Sequence, residues 1–107
     1  MEKKIGNLLS SLKSLLKKRY GNDLTKIYLF GSQANSYKPD SDFDIMLIFK
    51  ESKNWKEINQ ILDVIIDFGI KNDIVFDSKI YFEKDLNNPL IKEIPFVKNV
   101  LKTGIKI

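Results

Sequence analysis

Hydrophobic side chains recur along this chain with two different periods, which predicts a mixture of helices and strands. Near the amino end, apolar residues return every three or four positions, a spacing typical of an amphipathic helix. These residues are Ile5, Leu8, Leu9, Leu12, Leu15 and Leu16. The pair Gly21-Asn22 predicts a left-handed end to this helix. A shorter apolar run from Ile27 to Phe30 predicts a buried strand, followed by a tight turn at Gly31.

The middle of the chain predicts a loop, a second strand and a second long helix. Ser36 to Ser41 is polar and contains a proline, so we expect a loop, and Phe43 to Phe49 predicts a strand. Asn54, followed three residues later by Glu57, is typical of a capping box. Apolar residues then recur at helical spacing, and we expect this helix to end at Gly69.

The last third predicts a third strand and short helices. From Asp73 to Phe82, apolar side chains alternate with a more polar set. Pro89 and Pro95 each predict the first residue of a short helix, and Gly104 predicts the end of the last one. The resulting order of elements predicts an α/β (α+β) fold, with helices packed mainly on one face of a small sheet. The pattern does not fix the order of the strands.

Length and composition narrow the chemistry that such a fold can perform. The chain has 107 residues, so we expect a single domain that spans residues 1–107. It contains neither cysteine nor histidine. Thiolate or imidazole nucleophile pairs, disulfides and zinc sites built from cysteine are therefore excluded. Catalysis, if present, must use carboxylates, hydroxyls, lysines and a bound metal.

Charge and hydropathy say less about function. The formal net charge is +4, but the lysines are spread along the whole sequence, so binding of nucleic acid is not favoured. No apolar run approaches the length of a membrane span, and the start of the chain lacks the apolar core of a signal peptide. We therefore expect a cytoplasmic protein that does not enter a membrane.

The strongest chemical signal lies between the first and second predicted strands. Asp42 and Asp44 are two positions apart, so on a strand their carboxylates share one face. Two carboxylates held together repel each other unless a cation lies between them, and hard oxygen ligands suit Mg²⁺. Gly31-Ser32, ten positions upstream of Asp42, offers backbone N–H groups and a hydroxyl for phosphate. Together these residues predict a site for a metal and a nucleotide.

This arrangement resembles the minimal nucleotidyltransferase (MNT) family of the DNA polymerase β-like superfamily. The family signature is a Gly-Ser turn, a short loop and Asp-x-Asp on a strand, here Gly31-Ser32 and Asp42-Phe43-Asp44. The resemblance covers the whole chain and implies the nucleotidyltransferase fold, a small mixed sheet. It also implies a third carboxylate on a later strand, for which we favour Asp77 on the polar face; Asp73, at the entrance of that strand, is the alternative.

The resemblance further implies an activity and roles for these residues. The family transfers NMP from an NTP to an acceptor hydroxyl with two Mg²⁺ ions, and such ions can stabilise both ends of an in-line displacement. Asp42 and Asp44 would hold the Mg²⁺ bound to the nucleotide, and Asp77 would complete the second metal site. Gly31 and Ser32 would bind the β- and γ-phosphates. All three carboxylates would thus be both metal ligands and catalytic residues.

The resemblance also implies a partner. Small members are commonly the antitoxin of a toxin–antitoxin pair with a helical HEPN-type protein, and transfer AMP from ATP to a tyrosine of that toxin. However, where family members often carry an arginine, this chain has Gln33 and Asn35. Lys38 or Lys79 would have to supply the missing positive charge. A rival hypothesis is therefore a catalytically weak MNT-fold module that binds and masks its partner protein.

Overall fold

A computed structural model of the chain describes residues 3–35 and 42–107. Its helices are α1 (Lys3–Tyr20), α2 (Ser32–Asn35), α3 (Trp55–Lys71), α4 (Glu83–Leu86), α5 (Pro89–Lys92) and α6 (Pro95–Thr103), with a 3₁₀ turn at Gly21–Asp23. Its strands are β1 (Leu24–Phe30), β2 (Phe43–Phe49), β3 (Phe76–Phe82) and β4 (Ile105–Lys106). The loop predicted from Ser36 to Ser41, which contains Lys38, lies outside the described residues.

The strands form one mixed sheet, as the resemblance implied. The strand order is β3-β2-β1-β4. β1 pairs antiparallel with both β2 and β4, whereas β2 pairs parallel with β3. The parallel pair is joined through α3, as expected for a strand–helix–strand crossover. This crossover brings the second and third strands side by side, and with them the two segments of sequence that carry the candidate carboxylates.

The larger core lies between one face of the sheet and the two long helices. α1 contributes a buried apolar stripe, and α3 contributes Ile61 and Ile65. Residues on one face of β1 and β2 meet these helices, and two of them, Ile27 and Leu47, are at most 1% exposed. The capping box predicted at Asn54 is present and fixes the start of α3. The sheet-facing stripe of each long helix therefore agrees with the sequence pattern.

A smaller core covers part of the opposite face of the sheet. Met46 and Ile48 of β2 point to this side and pack with Val97 and Val100 of α6 and with Leu86. This explains why β2 reads as an almost continuous apolar run, since a strand covered on both faces has no solvent side. The cover is incomplete near the start of β2, and this is where the acidic residues lie.

Several boundaries differ from those predicted. α3 continues to Lys71 instead of ending at Gly69. Glycine is required at position 69 because a Cβ there would overlap the carbonyl oxygen of Ile74, and not because the helix ends there. β3 begins at Phe76 and not at Asp73, because Asp73 has a positive φ of 56° that is incompatible with a strand.

β4 was not predicted at all. It comprises only Ile105–Lys106 and is held by its pairing with β1. Two residues are too few to show a strand pattern in the sequence, so β4 is recognised only in the structure.

The helices were also compared with the length and hydropathy of a membrane span. No helix within residues 3–35 and 42–107 is long and apolar enough to cross a bilayer.

Candidate functional site

Asp44 is the second residue of β2 and lies on the face of the sheet that the smaller core leaves partly open. Its neighbours in the strand, Phe43 and Ile45, point to the larger core, so alternation sends the Asp44 carboxylate to the other side. In the parallel pair of strands, Asp44 is in register with Asp77 of β3. Register partners in a sheet project to the same face, which brings the two carboxylates to one side of it.

Gly31 ends β1 directly beside this carboxylate. Phe30, the preceding residue, is the register partner of Asp44 across the antiparallel pair. Gly31 has φ of +74°, and a Cβ built on it would overlap Oδ2 of Asp44. The site therefore requires glycine here for two reasons, namely the left-handed backbone and the space that the carboxylate occupies.

The electrostatics of Asp44 reflect this crowded position. Burial raises the pKa of the Asp44 carboxyl above its ordinary value, and the negative charges of Asp77 and Asp42 raise it further. The positive charge of Lys79 lowers that pKa by a smaller amount. Carboxylates that lie close together repel one another, and a bound cation relieves this repulsion. Asp42 is exposed and directly precedes β2, so it joins the group from the end of the strand.

Lys79 is the cation nearest to the acidic pair in the described part of the chain. Its Nζ lies 3.2 Å from Oδ1 of Asp77, and both side chains are about half exposed. Lys79 is two residues after Asp77 on β3 and so shares its face. In this arrangement no three acidic side chains of residues 3–35 and 42–107 are grouped closely enough to enclose a metal ion.

Asp73 is in a different place. It lies in the turn between α3 and β3, with the left-handed backbone that aspartate tolerates in turns. There it lines a cavity of about 400 Å³ with Lys4 and Asn7 of α1. This is the side of the sheet covered by the long helices. The structure thus brings Asp77, and not Asp73, next to Asp44.

The residues after Gly31 form a single helical turn. α2 begins at Ser32, and the N–H of Ala34 donates to the carbonyl oxygen of Gly31 at 3.2 Å. Ser32 therefore occupies the first position of a helix, where backbone N–H groups have no acceptor within the helix. Gln33 is only 4% exposed. It is part of the packed interior rather than a replacement for an arginine that reaches outward.

Sequence reasoning missed two polar residues beside the Gly31 turn. Asn99 and Thr103 of α6 line a cavity of about 160 Å³ together with Phe30, Gly31 and Ala34. The Thr103 hydroxyl donates to the carbonyl oxygen of Asn99 at 2.8 Å. The two residues are spaced by four on the exposed side of an amphipathic helix. That spacing was the available signal, but nothing in it pointed to Gly31.

Comparison with known proteins identifies the family of the chain. The family model described as "Polymerase beta, Nucleotidyltransferase" matches residues 10–107. A protein of Methanocaldococcus jannaschii named "Putative protein adenylyltransferase" is 32% identical over 72 residues, which cover 66% of this chain and 72% of that protein. The match to the family spans both the Gly31 turn and the strands that carry Asp44 and Asp77. The chain therefore belongs to the polymerase β nucleotidyltransferase family.

Proposed function

We propose that this chain transfers AMP from ATP to a hydroxyl group of a partner protein, with Asp42, Asp44 and Asp77 as its catalytic carboxylates. The observation that carries the proposal is the register of Asp44 with Asp77 directly beside the left-handed Gly31 turn. A pair of acidic strand residues next to a phosphate-binding turn is the arrangement that the family signature implies. The alternative third carboxylate, Asp73, faces the opposite side of the sheet.

The chemistry of the donor set fits Mg²⁺, and a bound ion would have to draw the three carboxylates closer together than they lie in this structure. The three side chains supply only carboxylate oxygens, which are the ligands of a hard cation. Burial raises the pKa of Asp44 and the negative charges of Asp77 and Asp42 raise it further, so a cation bound beside this carboxylate would stabilise its ionised form. We assign Asp42, Asp44 and Asp77 as the residues that would hold the metal. When bound, Mg²⁺ would neutralise negative charge on the triphosphate and on the oxygens that react.

The chain's own residues would bind and orient the nucleotide. Gly31 lets phosphate oxygens approach the backbone, since it has no Cβ, and Ser32 offers an N–H and a hydroxyl at the same turn. Lys79 lies on the face of the acidic pair and takes the place of the arginine that Gln33 does not provide. The polar cavity beside Gly31, with Asn99 on its wall, is our candidate for the nucleoside part.

The acceptor is proposed from the relative and from the family. The archaeal relative is named as a protein adenylyltransferase. We therefore propose that a docked protein brings the hydroxyl, in particular a tyrosine of a helical HEPN-type partner in a toxin–antitoxin pair. Such a reaction would take place in the cytoplasm, where ATP is available.

Transfer of label tests this proposal. The chain is co-expressed with the protein encoded next to it, and the purified pair is incubated with Mg²⁺ and ATP labelled at the α-phosphate. We expect label on the partner protein with the native chain and none with Asp44→Asn. Asp63→Asn is the matched control, because Asp63 is an exposed aspartate on α3, away from the site. This control should transfer label at the native rate.

Two results would contradict the proposal. Equal labelling by the native chain and by Asp44→Asn would mean that the carboxylate is not part of the machinery. If the chain binds the partner but transfers no label, and Asp44→Asn binds the partner equally well, the rival hypothesis of a module that masks its partner would be favoured. Mass spectrometry of the labelled partner then identifies the residue, for which we expect an added AMP on tyrosine.

A further inference from the structure

We propose that this chain forms a symmetric dimer in which β3 pairs antiparallel with β3 of a second copy, about a two-fold axis at Ser78. The inference concerns assembly, and it is tested without Mg²⁺ and without nucleotide because Asp77 and Lys79 also belong to the proposed site. It rests on three features of the described chain. These are an open strand edge, the order of charges along that strand, and an exposed apolar flank on the helix above it.

The open edge belongs to β3. This strand is at one end of the sheet order, and its only pairing among the described strands is with β2. The N–H and C=O groups of its other edge are therefore directed away from the sheet. A seven-residue edge is long enough to pair with another strand. Native proteins usually protect such an edge, and here the relevant charges are Asp77 and Lys79.

The order of those charges favours self-pairing in one register. If Ser78 is opposite Ser78 of the second copy, Asp77 is opposite the second copy's Lys79, and this contact occurs twice by symmetry. Phe76 is then opposite Ile80 on the other face. A shift to the next two-fold register in either direction places Lys79 opposite Lys79, or Asp77 opposite Asp77. Opposite charges across strands stabilise a pair and like charges destabilise it.

Both charged side chains are available for this contact. The Asp77 side chain is 48% exposed and the Lys79 side chain is 49% exposed. Their ion pair within one copy is therefore a surface interaction of small energy, which a partner can share or replace. A pair of like charges would block an edge against every copy of itself. This pair of unlike charges instead favours one register and disfavours the two neighbouring two-fold registers.

The apolar flank belongs to α3. Leu62, Ile66 and Ile70 follow one another at spacings of four, and Trp55 lies on the same stripe. Trp55 is 75% exposed, Ile66 is 55% exposed and Ile70 is 72% exposed. Such a row of large apolar side chains on a helix of a small domain is a typical interaction surface.

The flank lies on the β3 side of the helix. Asp63 and Asp67 line the groove between α3 and α1, together with Leu15 and Arg19. The helix period places Leu62 and Ile66 on the other side of the core-facing stripe from this groove. Gly69, next to that flank, contacts the chain that leads into β3. The apolar flank therefore overhangs the open edge of the sheet.

A two-fold axis perpendicular to the sheet joins these features. It keeps the faces of the two sheets aligned, so both copies of α3 lie on the same side of a continuous eight-stranded sheet. The flanks of the two helices then approach each other above the paired strands. Strand pairing supplies the register and the apolar flanks supply the buried area. Charge complementarity in a single register is the reason that a second copy is the occupant.

Sedimentation equilibrium of the full chain over a wide range of concentration tests the proposal. We expect the native chain to reach twice the monomer mass of 12.4 kDa. Lys79→Asp places aspartates opposite one another at both symmetric contacts and should raise the dimer dissociation constant roughly 30-fold. The charge swap Asp77→Lys with Lys79→Asp restores complementarity and should return the constant to within about threefold of the native value.

The helix flank is tested with a matched pair. Ile66→Asp should weaken the dimer by at least about tenfold, because it places a charge in an apolar contact. Leu90→Asp changes an apolar residue that is 81% exposed on α5 and should leave the constant unchanged. Circular dichroism verifies that every variant is folded. A monomeric native chain overturns the proposal, as does a dimer that Lys79→Asp or Ile66→Asp leaves as tight as before. A charge swap as weak as Lys79→Asp overturns the register.

Discussion

Replacing Gly31 by alanine tests the contact on which the site depends. Gly31 has φ of +74°, and a Cβ on it would overlap Oδ2 of Asp44. An L-residue with this backbone costs about 1–2 kcal/mol. Displacing the half-buried Asp44 carboxylate costs about 1–3 kcal/mol more. We therefore expect Gly31→Ala to lower the free energy of unfolding by about 2–5 kcal/mol.

A second glycine separates the two contributions. Gly21 has a similar φ of +59°, but a Cβ on it would meet nothing within 4 Å. Gly21→Ala should therefore cost only the backbone term of about 1–2 kcal/mol. Urea denaturation of both variants gives the comparison. The difference between them, about 1–3 kcal/mol, measures the crowding by Asp44.

A double-mutant cycle identifies Asp44 as the cause. In an Asp44→Ala background the carboxylate is absent, so Gly31→Ala should cost no more than Gly21→Ala. A cost for Gly31→Ala that equals the Gly21→Ala value in the native background would refute the close contact. An excess cost that persists in the Asp44→Ala background would refute its assignment to Asp44.

Two further predictions concern stability. Without metal, Asp44→Asn should stabilise the chain at pH 7 by about 1 kcal/mol, because burial and the negative charges of Asp77 and Asp42 both disfavour the ionised Asp44 carboxylate. Because the folded state raises the pKa of Asp44, the unfolding free energy of the native chain should fall as pH rises from about 4 through that raised pKa. Urea titrations over this range compare the unfolding free energies of Asp44→Asn and the native chain. The extra stability of the variant should vanish at the acid end. A difference that does not change with pH would show that it does not come from ionisation of Asp44. Asn54→Ala should lower the free energy of unfolding by about 1 kcal/mol, because the capping box is lost. Asn59→Ala changes an exposed residue within the same helix and should not destabilise the chain. Equal losses of stability in the two variants would contradict the role of the cap.

The sequence predicted those elements whose signals are local. The bounds of β2 follow from its apolar run, and the start of α3 follows from Asn54 and Glu57. The two short helices that begin at Pro89 and Pro95 also agree with the structure. Each of these signals arises from the residue's own backbone preference or from a partner three residues away, so no knowledge of the fold is needed to interpret it.

Features that depend on distant contacts could not be predicted. β4 exists because β1 offers it an edge, and Gly69 is required by the approach of Ile74 rather than by the end of a helix. A glycine gives the same signal in both situations. The order of the strands is a property of the whole sheet, and without it the register of one strand against another is undefined.

The candidate site also contains features that were visible in the sequence and features that depend on tertiary structure. The spacing of Asp42 and Asp44 and their position before an apolar run were visible in the sequence, and the Gly31 turn was too. The choice between Asp77 and Asp73 required the register of β3 and the left-handed backbone of Asp73, which are tertiary properties. The buried position of Gln33 was also hidden, because a polar residue after a turn normally faces solvent.

Titration of ATP into the chain tests the central claim most directly, because it needs no acceptor. With Mg²⁺ present, we expect calorimetry to detect binding of a non-hydrolysable ATP analogue to the native chain and to Asp63→Asn. Binding should be lost or weakened by at least tenfold in Asp44→Asn, and in the native chain when EDTA removes the metal. Binding that is equally tight in Asp44→Asn, or without Mg²⁺, would contradict a carboxylate site for a metal-bound nucleotide beside Gly31.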